Sequence, residues 1–333
     1  MSRPKIALLQ AKALTEQLFT KGALARVGDL GQVVINPGRE RPTVEETIEL
    51  IIGAQACVTS WGCQRMTDDV LDAAPDLGII VHAAGSVKPI VSDAVWKRGI
   101  IVTSGAAMIA VNVAEMTVGC LILGLKNVWG LTRVTCAGGW REERESARSR
   151  VLNQVTIGVI GAGHIGRRVL EYLRPFEVKE LLLCDPYWTS EEIAKLGAIK
   201  VSLQELLRRS DAVTLHAPAL PATRHMLGME ELRLMKDRAV LVNTSRGQNI
   251  DEQALVAELE KGRLFVFLDV TDPEPPAVNS RLRTLPNVVL TPHVAGGRAN
   301  PRMGDYAVEE LRRFFAGETP LHQVTRDIID RIA

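Results

Sequence analysis

Seven residues carry the chemistry that can be read from this chain. Gly161, Gly163 and Gly166 come first, then Asp185, Arg246, Glu274 and His293. The glycines and the aspartate describe a dinucleotide site. The guanidinium, the carboxylate and the imidazole are the parts that hydride transfer to a keto acid needs. Each lies at or just past the end of a predicted strand, where ligands of parallel sheets bind.

The run V-T-I-G-V-I-G-A-G-H-I-G, residues 155–166, reads as strand, glycine turn, helix. Gly161 permits the tight turn, Gly163 lets a pyrophosphate approach the backbone, and Gly166 lets the helix lie close to the strand. His164 and Ile165 complete the turn, and the helix start offers a positive dipole end to phosphates. A lone glycine turn carries little weight, but here it sits between a strand and a helix. Asp185 ends the next strand nineteen residues after Gly166, the place of an acid that binds ribose hydroxyls. Its charge repels a 2′-phosphate, so NAD is expected rather than NADP. The bland alternative is a turn aspartate before Pro186.

Arg246, in V-N-T-S-R-G, has a fork that fits a carboxylate and polarises a neighbouring carbonyl. His293, in L-T-P-H-V-A-G-G, is placed to move a proton to or from the substrate oxygen. Glu274 is expected to orient that imidazole and raise its pKa, with Asp272 as the competitor for the role. His216 and Pro218, in T-L-H-A-P, are assigned to the cofactor wall. The alternatives are a surface ion pair for Arg246, a structural role for His293 and an exposed loop acid for Glu274.

These residues need a scaffold of strands. Apolar runs at 6–9, 33–36, 56–60, 79–83 and 100–103 alternate with helical stretches, and a second series lies at 155–160, 181–184, 212–215, 240–243, 265–268 and 288–291. Runs apolar on both faces fit strands covered by helices on both sides, hence an α/β fold of doubly wound parallel sheets. Residues 110–127 read as a long apolar helix joining the two series, and 141–150 as a charged, exposed segment. A helical pattern at 301–316, with no further strand after it, is expected to pack back on the first unit and make that domain discontinuous. The expected domains are 1–108 with 298–333, and 109–297.

The bulk composition narrows the function classes. The chain has 333 residues, enough for two domains, with 40 Lys and Arg against 39 Asp and Glu. That balance gives no field for nucleic acid or an anionic membrane, and 4% aromatics offer little for base stacking. No apolar run is expected to reach the length of a membrane span, and the N-terminus reads as a strand rather than a signal peptide. The five cysteines lack metal-ligand spacing, so no metal site is expected and reduced cytoplasmic thiols are.

With these motifs quoted, the chain resembles the D-isomer-specific 2-hydroxyacid dehydrogenases. The resemblance covers nearly the whole length and is densest over 158–297, in G-V-I-G-A-G-H-I-G, D-A-V-T-L-H-A-P, L-V-N-T-S-R-G-Q-N-I-D-E, L-D-V-T-D-P-E-P and L-T-P-H-V-A-G-G. It implies a Rossmann NAD-binding domain, a flavodoxin-like substrate domain built from both chain ends, a homodimer, and an active site in the interdomain cleft. It makes Arg246, Glu274 and His293 the catalytic triad. Asp269 would hold the nicotinamide carboxamide, and Thr244, Ser245, Val294, Ala295 and Gly296 would line the cofactor. The loop Ala84, Gly85, Ser86, Val87 would hold the substrate carboxylate through backbone N–H groups, beside Arg246 and His293. Family members often read G-V/I-D-N-I-D where this chain has G-S-V-K-P-I, and His164 replaces a common arginine. F265-V-F replaces a usual small-residue segment. Trp61 and Cys63 lack the basic charge of members acting on 3-phosphoglycerate, although Arg65 is close. Selectivity is expected to depend on Trp61, residues 86–90 and the region of Met303. No C-terminal regulatory domain is expected after residue 333. The implied reaction interconverts a small 2-keto acid and a D-2-hydroxy acid with NAD. Its rivals are a phosphite-type dehydrogenase with the same triad and a non-enzymatic NAD-sensing module of the corepressor type that binds protein partners.

Overall fold

A computed structural model of the chain describes residues 3–38, 40–140, 148–297 and 300–332. Residues 141–147 of the charged segment expected at 141–150 lie outside these. The chain divides into two compact units, one of Met1–Ile109 with Gly297–Ala333 and one of Ala110–Gly296. The borders expected from the sequence lay within one residue of these.

The first unit holds β1 (Lys5–Leu8), β2 (Gln32–Ile35), β3 (Ala54–Thr59), β4 (Ile79–His82), β5 (Ile101–Ser104) and β13 (Gln323–Val324). Their order is β13-β5-β4-β3-β1-β2, parallel except for β13. Alternating side chains feed two layers. Ile6 and Leu8 pack with Leu18, Val27 and Leu311 on one face, and Ala7 and Leu9 with Ile51, Val70 and Val95 on the other. The helix Arg302–Phe315 supplies part of the first layer, so the chain's end does return to this unit. β2 departs from the expected two-sided burial: Gln32 and Ile35 are exposed because β2 is an edge strand. The expectation that no strand follows the last helix is corrected by β13. It has two residues, too few for a periodic signal, and is recruited by pairing Gln323 with Thr103 and Val324 with Val102.

The second unit holds β6 (Thr156–Ile160), β7 (Glu180–Cys184), β8 (Ile199–Lys200), β9 (Ala212–Leu215), β10 (Val240–Asn243), β11 (Phe265–Leu268) and β12 (Val288–Leu290). The order is β12-β11-β10-β9-β6-β7-β8, all parallel, and it reverses between β6 and β9. The first six strands follow the order of two mononucleotide-binding halves. β8 was not expected; it too is a two-residue edge strand, and its Ile199 is half exposed. The expectation about apolar length is also corrected. The helix Ala106–Leu125 has 20 residues and a mean hydropathy of 1.9, long and apolar enough to cross a membrane by composition. Here Ala114, Val118, Leu121 and Leu125 pack with Ile157, Val240 and Phe267 of the sheet, so its apolar character serves the core.

Candidate active site

The glycine turn shows why each glycine is there. Gly161 has φ +95°, a left-handed conformation that favours glycine, and its N–H donates to the Cys184 carbonyl at 2.9 Å. A Cβ on Gly166 would stand 1.9 Å from the Gly161 carbonyl oxygen, so any side chain there would push the helix His164–Leu173 off the turn. A Cβ on Gly163 would meet nothing within 4 Å. That is open space directly at the helix start, where a phosphate can reach backbone. Ile165 faces the core beside Val169.

Asp185 follows β7 and is half-buried. It accepts from the Ala162 N–H at 2.7 Å and from the Tyr187 N–H at 2.8 Å, so it braces the glycine turn from the neighbouring strand. Each oxygen keeps acceptor capacity for a ribose hydroxyl. His216 directly follows β9, with its backbone against Gly161. Its Nε2 meets Thr214 Oγ1 at 2.9 Å, and its buried Nδ1 has no partner among the described residues. Burial pushes its pKa down to about 3, so the ring is neutral at ordinary pH. An open glycine, an acid at the ribose position and an orphaned ring nitrogen fit NAD.

Three adjacent strands deliver the other charged groups. β10 leads to Arg246, β11 to Glu274 and β12 to His293. His293 Nδ1 lies 2.6 Å from Glu274 Oε1. Asp272 instead faces Arg224 at 3.9 Å, which decides between the two acids in favour of Glu274. Arg246 donates through Nη1 to the Ser245 carbonyl at 2.7 Å. Burial pulls its pKa down, and the nearby Glu274 carboxylate opposes that shift. The Arg246 and Glu274 loops touch: a Cβ on Gly247 would lie 2.0 Å from the Thr271 carbonyl carbon.

The structure adds Asn243, whose role gave no signal in sequence, and shows what the residues expected to line the cofactor touch. Asn243, fully buried, donates to the Arg246 carbonyl at 3.0 Å and accepts from the N–H and hydroxyl of Ser245. It moulds the loop that carries the guanidinium. Thr244 is tied by its hydroxyl to Thr117 at 2.8 Å. Asp269 is 1% exposed, and its carboxylate accepts from Val294 N–H at 2.9 Å, Ala295 N–H at 2.8 Å and the Thr291 hydroxyl. Its visible work is to shape the turn after His293 rather than to face outward. Val294 is exposed, and the Gly296 carbonyl accepts from Asn112 Nδ2 at 3.0 Å. Pro218 is half-buried, its carbonyl accepting from the Thr223 hydroxyl at 2.5 Å.

In the first unit, β4 leads into Ala83 and Ala84, both fully buried, and then into Gly85 and Ser86. The Ser104 hydroxyl donates to the Gly85 carbonyl at 2.6 Å. The N–H groups of Gly85 and Ser86 have no acceptor among the described residues. Val87 is buried and its carbonyl closes the next turn. Lys88, the divergent residue of this loop, sends Nζ to the Ile332 carbonyl at 2.6 Å. The loop after β3 does have a basic neighbour that spacing did not reveal. The Arg41 side chain lies over Gly62, its Cγ and Nε 2.9 Å from where a Cβ would stand.

Comparison with known proteins agrees with this geometry. The family model described as "D-isomer specific 2-hydroxyacid dehydrogenase, NAD binding domain" matches residues 118–295, more than half of the chain. The chain is 34% identical over 338 residues to a glyoxylate reductase of Aeropyrum pernix, covering 99% of this chain and 98% of that protein. It is 33% identical over 311 residues to a D-3-phosphoglycerate dehydrogenase of Methanocaldococcus jannaschii, covering 92% of this chain but spanning only 58% of that relative's length. A crystal structure of D-lactate dehydrogenase from Aquifex aeolicus, complexed with NAD and lactic acid, matches with a TM-score of 0.72 at 26% identity, over 94% of this chain and 96% of that one.

Proposed function

We infer the reaction from one premise: the chain belongs to the D-isomer-specific 2-hydroxyacid dehydrogenase family. It is an NAD-dependent oxidoreductase of that family. The finer reading proposed is the interconversion of a small 2-keto acid and its D-2-hydroxy acid, with His293 as acid and base. The observation that carries it is the 2.6 Å contact between His293 Nδ1 and Glu274 Oε1. With Nδ1 held by the carboxylate, the proton to be moved belongs to Nε2.

NAD, when bound, supplies the hydride in reduction and accepts it in oxidation. Gly161, Gly163 and the start of the helix His164–Leu173 would hold its pyrophosphate, Asp185 its ribose hydroxyls, and His216 would form part of its wall. In reduction a new C–H bond forms at the keto carbon. The carbonyl π pair moves to oxygen and is protonated by His293 Nε2. In oxidation the same nitrogen removes the hydroxyl proton. Glu274 keeps the ring in the tautomer this requires. Arg246 remains a cation in a half-buried setting, where a carboxylate counter-charge gains more than in water. In the first unit, the Gly85 and Ser86 N–H groups are suited to a substrate carboxylate.

The test is a panel: glyoxylate, hydroxypyruvate, pyruvate, phenylpyruvate, 2-ketoglutarate and 3-phosphohydroxypyruvate, each with NADH and with NADPH, followed by nicotinamide absorbance. Turnover of a keto acid with preference for NADH is expected. His293→Ala should lower kcat by about 10³-fold while NADH still binds. Undiminished turnover in that variant removes His293 from the mechanism. Tight NADH binding without any turnover moves the reading to phosphite-type chemistry or to an NAD sensor.

A further inference from the structure

We propose that Gln10 is a specificity-determining residue, its side-chain amide pairing with a hydroxyl on the carbon beyond the keto group of a 3-hydroxy-2-keto acid. This rests on the reaction proposed above. Gln10 follows β1 and is fully buried, and neither its Nε2 nor its Oε1 has a hydrogen-bond partner among the described residues. Leaving a buried amide unmatched is costly, and a leucine or methionine of similar size would avoid the cost. A polar group kept at that expense points to a partner that arrives from outside the chain.

Its place in the fold says which partner. The order β2-β1-β3 makes β1 the strand at which the first unit's sheet reverses direction, and such sheets bind ligands beyond the carboxyl ends of the strands there. The Leu9 N–H donates to the Val58 carbonyl at 2.9 Å, which carries the β1–β3 register on toward Ser60 beside Gln10. The Ser60 hydroxyl donates to the Ala83 carbonyl at 2.9 Å, and two residues further on is Gly85. The backbone of Gln10 and the unpaired Gly85 and Ser86 N–H groups therefore lie past the same end of the sheet, two strand spacings or roughly 10 Å apart, with the Gln10 amide buried beneath that end. A glutamine side chain and a three-carbon acid anchored at Gly85 bridge that distance together.

The amide also selects the group. It offers one donor end and one acceptor end. A hydroxyl accepts from Nε2 and donates to Oε1, so it satisfies both. A methyl satisfies neither, and a carboxylate can only accept, which leaves Oε1 facing an anion.

The experiment compares kcat/KM for hydroxypyruvate and pyruvate in the wild-type chain, Gln10→Leu and Gln10→Met. The wild type is expected to favour hydroxypyruvate by about 10-fold or more, and both variants to bring the ratio close to one. The ligand-free variants should melt no lower than the wild type, because an unmatched amide has been removed. An unchanged ratio in both variants, or a lowered melting temperature with the preference intact, assigns the amide to the fold and overturns the proposal. Turnover of glyoxylate or pyruvate without any preference for the hydroxylated acid overturns it while leaving the reaction standing. Absence of turnover with either acid, and with the rest of the panel, sinks the reaction itself and this subsite with it.

Discussion

His293 adopts φ +52°, a left-handed backbone that costs a non-glycine residue on the order of 1 kcal/mol. The chain holds it there from both sides. Its N–H donates to the Asp269 carbonyl at 2.9 Å, and the Asp269 carboxylate collects the N–H groups of the next two residues. The imidazole is thus aimed by backbone geometry before Glu274 touches it. Replacing Asp269 by Asn would set an amide donor against one of those N–H groups. Asp269→Asn should lower kcat about 10²-fold, as expected when a reacting group is misplaced by a fraction of an ångström. Steady-state kinetics alongside circular dichroism would separate that loss from unfolding, and undiminished kcat would show that the turn needs no such brace.

At the scale of elements, the arrangement of Arg246, Glu274 and His293 depends on two loops being able to touch. Gly247 has no unusual backbone; it is required because Thr271 passes where its side chain would be. Gly247→Ala should force the Arg246 and Glu274 loops apart, lowering kcat/KM at least 10²-fold and the melting temperature by about 4 °C or more. Kinetics and calorimetry on the one variant check both. The strands that end at these loops were legible in sequence because each is a run of apolar residues buried on both faces, as in Val240–Asn243 and Phe265–Leu268. The charged groups were legible because a lone Arg, Glu or His past such a run has no reason in packing. The rest depends on contacts between distant segments. Asn243 reads as the last residue of a strand, and only its three hydrogen bonds show its role. Arg41 is 21 residues from Gly62, on which it lies, so no spacing rule reaches it. β8 and β13 are too short to carry a period and exist because an edge was available.

At the scale of the molecule, each unit buries one neutral histidine. Burial pushes His82 down to about 4 and His216 down to about 3, against an ordinary value of about 6.5. Below about pH 6.5 the unfolded chain takes up protons that the folded chain refuses until its own lower pKa is reached. Stability is therefore whole above that pH and falls as the pH drops through the window from about 6.5 to about 3, by a few kcal/mol. Calorimetry at pH 7.5 and pH 5 should show lower melting at the acid value, and His82→Gln, His216→Gln together should flatten that difference; an equal slope in wild type and double variant removes these rings as its cause. The discontinuity of the first unit has a different kind of consequence. A ribosome delivers all of Ala110–Gly296 before it delivers Gln323, the residue that pairs with Thr103. The nascent chain can finish its NAD-binding unit while β5 still presents an open edge, for roughly 10–40 s at ordinary rates of synthesis. The part of the protein that begins first is the part that closes last, and during that interval its unpaired strand edge is what a chaperone, or another nascent chain, would find.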